Sequence, residues 1–166
     1  MNNLFNNTAL HVHSETMLER SRWYGPNLMT FLTTTAETNG QFSLIKCVLR
    51  KGFEPPLHVH SREDESVVIL SGEINYEIGE KTVLAKAGDY VHLPRSVPHT
   101  FNLVSDTATF LLLITPGGFE EMFLQFSRPA VTMELPPVPT EKPGPEFFER
   151  MEKLNTQLGV TVLPAL

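Results

Sequence analysis

Between Asn27 and Thr115 the chain alternates short apolar runs with turn residues, and nothing in that interval carries a convincing helical period. Many short strands in succession predict a sandwich or a barrel. Asn39-Gly40 suits the positive backbone angles of a tight hairpin, predicted to join a strand near Leu28 to Ala36 with one near Gln41 to Arg50. Ile74, Tyr76 and Ile78 alternate with Asn75 and Glu77, which gives that strand one buried and one wet face. Gly79-Glu80 then turns it back into Thr82 to Ala85.

The period changes after Thr115. Pro116-Gly117-Gly118 breaks the last strand, and Phe119, Met122, Phe123 and Phe126 follow at i, i+3, i+4 and i+7, the stripe of an amphipathic helix packed on the barrel. A second helix is predicted to open at Pro145, to bury Phe147, Phe148, Met151, Leu154 and Leu158, and to stop at Gly159. Pro129, Pro136, Pro137, Pro139 and Pro143 lie between the two, so that stretch is expected to run extended over the barrel surface. At 166 residues the chain has room for one compact domain. It divides into an N-terminal arm packed outside (1–26), a β-barrel (27–116) and a helical, Pro-rich extension (117–166).

Charge and cysteine usage narrow the partners. Lys and Arg number 13 against 19 Asp and Glu, a formal charge of -6 without a basic run, so neither nucleic acid nor an acidic membrane surface is an expected partner. The longest apolar run, Phe110 to Ile114, is too short to span a bilayer. The lone Cys47 has no partner for an internal disulfide and reads as a small buried filler. Met1 to Asn7 has neither the basic nor the apolar region of a signal peptide. A soluble, cytoplasmic protein is the expectation.

The chemistry concentrates in two blocks. In the first, Gly52 to Gly72, His58 and His60 stand two apart on an extended chain and so project two imidazoles to one side. Arg62-Glu63-Asp64 reads as a polar turn, after which Glu65 opens a strand on which Val67 and Ile69 share its face. The second block, Gly88 to Asn102, places His99 at a strand start with Phe101 and Leu103 on its face. His58, His60, Glu65 and His99 together would make a mixed nitrogen and oxygen site for one divalent transition metal, and ligand type alone leaves Fe, Ni, Mn, Co, Cu and Zn open. Val67, Ile69, Phe101 and Leu103 are the candidate substrate pocket, apolar enough to favour an aromatic or enolic small molecule.

These blocks carry a resemblance. The first is similar to the first cupin motif, G-x5-H-x-H-x4-E-x6-G, at every specified position. The second resembles G-x5-P-x-G-x2-H-x3-N through Gly88, Pro94 and His99, with Ser96 in place of the motif's glycine and Asn102 one residue early. Fifteen residues separate Gly72 from Gly88, as in short microbial cupins. With Trp23-Tyr24-Gly25, Thr38-Asn39-Gly40, Thr115 to Glu120 and Leu158-Gly159-Val160, the chain looks like the single-domain, quercetin 2,3-dioxygenase-like cupins. That resemblance implies an all-β fold, the double-stranded β-helix or jelly-roll barrel, with the C-terminal helices packed outside. It implies a metal held by three His and one Glu, and an O2-using dioxygenase that opens a flavonol-like ring. Glu65 would then serve as ligand and as the base that takes a substrate hydroxyl proton. A non-catalytic metal-dependent binding cupin, and a metal-assisted isomerase or lyase that uses no O2, are the alternatives.

Other features have plainer readings. His11-Val12-His13 repeats the twin-imidazole pattern without a nearby carboxylate, and His92 reads as a strand histidine. Trp23 and Tyr24 either cover a barrel end or sit in a dimer contact. An edge strand near Leu28 to Ala36 beside that aromatic surface leads to the expectation of a homodimer.

Overall fold

The computed structural model describes residues 12–164, and the elements follow in the order β1 (Ser21–Tyr24), β2 (Asn27–Thr33), β3 (Ser43–Arg50), β4 (His58–His60), β5 (Asp64–Ser71), β6 (Glu73–Ile78), β7 (Lys81–Lys86), β8 (Tyr90–Leu93), β9 (His99–Leu103), β10 (Thr107–Thr115), α1 (Glu120–Gln125), β11 (Arg128–Pro129), α2 (Pro145–Leu158) and β12 (Val160–Val162). They form two antiparallel sheets, β11-β1-β2-β3-β10-β5-β8 and β12-β4-β9-β6-β7. The sheets face each other as a jelly-roll barrel, the double-stranded β-helix.

Alternation along the strands builds the core. In β3 every second residue from Ser43 to Leu49 is buried, and β10 repeats the pattern through Ala108, Phe110, Leu112 and Ile114. Each inward row meets the other sheet, and at about 25 cal/mol per Å² of apolar surface removed from water this interior is the main stabilising term. β6 buries Ile74 and Tyr76, as its alternation predicts.

Several expectations shift. Asn39 and Gly40 do take positive φ, 53° and 85°, but no tight hairpin forms there. β2 ends at Thr33, and a capping box between Thr34 and Glu37 winds Thr35–Thr38 into a short 3-10 helix, with Asn39 as its left-handed cap. Ser21–Tyr24, inside the segment expected to be an arm, is β1 of the larger sheet, and Val160–Val162 of the extension joins the smaller one. β2 therefore lies between β1 and β3, so the bare edge that motivated a homodimer is absent there.

The Pro-rich stretch runs extended but is anchored. Arg128–Pro129 pairs with β1, Pro136 is fully buried, and its carbonyl accepts from Arg50. α2 matches its predicted bounds, closing on Gly159 in the left-handed region. It buries Leu154 and half-buries Met151 and Leu158, whereas Phe148 is 55% exposed because it points off the packed stripe. Among the described residues, no helix is long and apolar enough to cross a membrane.

Candidate metal centre

The candidate ligands come from both sheets. β4 has burial in the order buried, half-buried, buried, so His58 and His60 face inward while Val59 faces out. His58 sits opposite His99 of β9 in the smaller sheet. Glu65 belongs to β5 of the larger sheet, held between Ile114 of β10 and Leu93 of β8. Its inward neighbours Val67 and Ile69 are buried at 2% and 1% exposure, as their shared parity requires.

One potential ligand atom from each of His58, His60, Glu65 and His99 falls within 4.8 Å of the others. Glu65 Oε2 is 3.4 Å from His99 Nε2, and its Oε1 is 4.0 Å from His60 Nε2. The rest of each ring explains which nitrogen is presented. His58 Nδ1 lies 2.8 Å from the Pro56 carbonyl and His99 Nδ1 lies 3.0 Å from that of Val97. A carbonyl only accepts, so both Nδ1 atoms donate and both Nε2 atoms carry lone pairs. His60 Nδ1 faces the Glu63 carboxylate at 3.4 Å, which leaves its Nε2 in the same role. The Nε2 atoms of His60 and His99 are buried without any hydrogen-bond partner. Three inward lone pairs beside a carboxylate fit a divalent transition ion, which would satisfy the orphaned nitrogens and neutralise the buried charge.

Electrostatics fits the same role at His58 and Glu65. Burial, with His99 beside it, pushes His58 down to about 4, so its ring is neutral near pH 7. Burial also works against the charged forms of Glu65 and His60. For Glu65 it is outweighed by the contact with His99 and the neighbouring imidazoles, which hold the carboxyl below its usual range. For His60 it is outweighed by Glu63 and Glu65, which raise it.

A cavity of about 280 Å³ opens beside the cluster and is walled mostly by apolar side chains, Phe101, Phe110, Phe119 and Phe123 among them. Half-exposed Phe53 and Val162 mark where it meets solvent. Of the four predicted pocket residues, Val67 and Phe101 line it. Ile69 and Leu103 do not; at 1% and 2% exposure they are core beneath it. Tyr24 lines the cavity, so of its two readings the cover of a barrel end fits. Trp23 instead donates its indole N–H to the Glu134 carbonyl and carries Arg128 over its ring.

Sequence reasoning missed three residues. Glu63, read as a turn residue, is 4% exposed and faces His60. Phe119, read as helix core, sets its ring edge-on to His60 at 4.4 Å between centroids. Tyr76, read as a buried strand position, lines the cavity. The i, i+3 spacing of His60 and Glu63 was the one available signal, and a turn gives such spacing no fixed meaning. His92 is exposed on the outer face near Ser66. His11 lies outside the described residues, and His13 is exposed.

Residues 46–115 match the family model of the cupin domain. Over 125 residues, 75% of this chain, the sequence is 24% identical to a quercetin 2,3-dioxygenase of Bacillus subtilis (strain 168). The match spans only 37% of that relative's length. Among solved structures, an ectoine synthase from P. lautus aligns with a TM-score of 0.60 and 16% identity, covering 82% of this chain and all of that one. The Streptomyces nucleoside dehydratase Pac13 aligns at 0.54 and 15%, covering 74% and 92%. At these identities the structural likeness is one of fold.

Proposed function

The chain belongs to the cupin superfamily, and we propose that it is a metal-dependent dioxygenase that uses O2 on a flavonol-like or other aromatic, enolic small molecule. The observation that carries this reading is the convergence of three imidazole lone pairs and one carboxylate beside an aromatic-lined cavity that His58, Glu65 and His99 help to wall. Similarity to a curated quercetin 2,3-dioxygenase supports it. His58, His60, Glu65 and His99 would hold a divalent transition metal, which when bound would couple O2 electronically to an enolate-type oxygen of the substrate.

The protein's own contribution follows from the site. Phenylalanines 101, 110, 119 and 123 offer flat apolar walls that orient an aromatic ring and keep water out. Glu65, charged and 6% exposed, is the group placed to take a proton from a substrate hydroxyl onto a carboxylate oxygen. His58 and His99, fixed through Nδ1 by carbonyls, hold their rings still while that happens.

Protein purified without a metal-binding tag is expected to carry close to one transition metal per chain and to consume O2 with a flavonol such as quercetin. Metal-loaded protein that consumes none with flavonols, catechols or enols overturns the dioxygenase reading. The second reading, a metal-assisted lyase or isomerase, is favoured by the fold likeness to a dehydratase and a synthase. It predicts turnover that continues without oxygen, whereas binding without turnover indicates a ligand-binding cupin.

A further inference from the structure

Tyr76 stands on β6, the strand beside that of His99, and faces inward with Ile74. It is 1% exposed, sits opposite Phe101 in the ladder and lines the same cavity as Glu65 and His99. Its phenol oxygen is buried without a hydrogen-bond partner. Burial, reinforced by the charge of Glu65, pushes the phenol up, so it stays a neutral O–H donor at any physiological pH.

Two other polar groups of the cavity wall are engaged within the protein, and Tyr24 and Asn155 also line it. Glu54 accepts from the backbone N–H of Gly52 and of Leu103, and Asn27 Oδ1 accepts from that of Arg50. Apart from the two imidazole nitrogens, the other buried side-chain atoms without partners among the described residues belong to Thr35, Ser43 and Arg50, none of which lines the cavity. Phenylalanine would fill the same space as Tyr76 without stranding a hydroxyl, so packing alone gives no reason for the oxygen. A buried hydroxyl that the protein leaves unsatisfied, on a residue lining the cavity, is available to a bound molecule.

We propose that Tyr76 is a specificity-determining residue, whose Oη–H donates a hydrogen bond to an acceptor oxygen of the bound small molecule. The assignment rests on the reading of this cavity as the substrate site. It narrows the ligand class to compounds whose oxygens include one that accepts from the cavity wall, because an oxygen-free aromatic would leave the hydroxyl buried and unpaired.

Tyr76→Phe tests this without turnover. Ligand-free variant is expected to melt at the parent's temperature or up to about 4 °C above it, since an unpaired buried hydroxyl is gone. Metal content is expected to stay the same. Anaerobic titration of the metal-loaded proteins with quercetin is expected to give a Kd about tenfold weaker for the variant, the worth of one hydrogen bond. A lower Tm in the ligand-free variant means that the hydroxyl serves the fold, through an internal water for instance, and overturns the proposal. An unchanged Kd overturns it too. If quercetin does not bind the parent, the flavonol reading falls, and the Tm comparison alone decides Tyr76: a loss rejects the assignment, and a Tm equal to or above the parent's sustains it.

Discussion

His60 Nδ1 and Glu63 Oε2 face each other at 3.4 Å with both side chains buried, so one of the three histidines is held by a carboxylate where the other two are held by carbonyls. A carboxylate behind an imidazole fixes the ring and makes its far nitrogen a stronger donor. Glu63→Gln keeps the shape and removes the charge. Metal affinity is expected to fall by about 10- to 100-fold, read by chelator competition. His60→Ala, which removes the ligand itself, is expected to lose more and to stay folded, since the barrel core stands apart from the site. A Glu63→Gln protein that competes as well as the parent contradicts this account.

Ser96 occupies the place where the cupin motif has glycine, and its φ of 64° is the left-handed conformation that glycine adopts freely. The strain serves the site, because the Ser96 N–H donates to the His60 carbonyl at 2.7 Å. For a non-glycine residue that conformation costs about 1–2 kcal/mol, partly offset by the extra entropy glycine loses on folding. Ser96→Gly is expected to raise stability by about 0.5–1 kcal/mol, seen as a higher urea midpoint at unchanged metal content. A lowered midpoint means that the serine side chain does something more.

Gly159 ties the C-terminal extension to the metal-bearing strand. It caps α2 at a φ of 77°, its carbonyl accepts from Ser61 N–H and Oγ–H, and a Cβ there would run into Ser61. Immediately after it, β12 pairs with β4, Val160 opposite His60. Gly159→Ala is expected to cost more than about 1 kcal/mol, because alanine tolerates this backbone poorly. It should also weaken metal binding by loosening β4. Loss of stability with metal affinity intact would separate the extension from the site.

The legible parts of the molecule were those with a short-range rule behind them. His58, His60, Glu65 and Val67 are fixed by a period of two, and α2 by a proline at its start and a glycine at its end. Asn102 shows the same rule from the other side: one residue early, it is exposed, while Leu103 turns inward at 2% exposure. What stayed hidden depended on contacts between segments far apart in sequence. β1 pairs with β2 on one side and is covered on the other by Arg128–Pro129, and Phe119 reaches His60 across the fold. Ile69 and Leu103 have the right parity for a pocket, but parity gives the face and not the depth.

Asp64, the first residue of β5, receives Arg95 through its backbone N–H at 2.8 Å and its guanidinium at 2.6 Å. The pair links the strand of Glu65 to the loop that leads into His99. Arg95 holds the Asp64 carboxyl down to about 2 from an ordinary 3.8. Because the folded value is the lower one, the stabilisation is complete above about pH 4 and is lost as pH falls towards 2. Asp64 and Arg95 are both part-exposed, so the effect is modest and weakens with salt. Urea midpoints of parent and Asp64→Asn are expected to differ by a constant amount from pH 7 to 5 and to converge below pH 4. A gap that is the same at pH 3 as at pH 7 removes the charge from the explanation.

Glu65 has two roles in the proposed chemistry, and they can be separated. As a ligand it contributes one oxygen among four donors, and an amide oxygen replaces that contribution in part. As a base it must accept a proton, which an amide cannot do near neutral pH. Proton transfer by a positioned side chain is worth typically about 100- to 10,000-fold in rate. Glu65→Gln preserves the size of a side chain that is 6% exposed between β8 and β10. The variant is expected to retain much of its metal and to lose most O2-consuming turnover, so that activity per bound metal drops by that factor. If Glu65 is a ligand only, activity tracks occupancy and the ratio stays near the parent's. Metal content and O2 uptake measured on one preparation distinguish the two, and an unchanged ratio would sink the base assignment while leaving the metal centre in place.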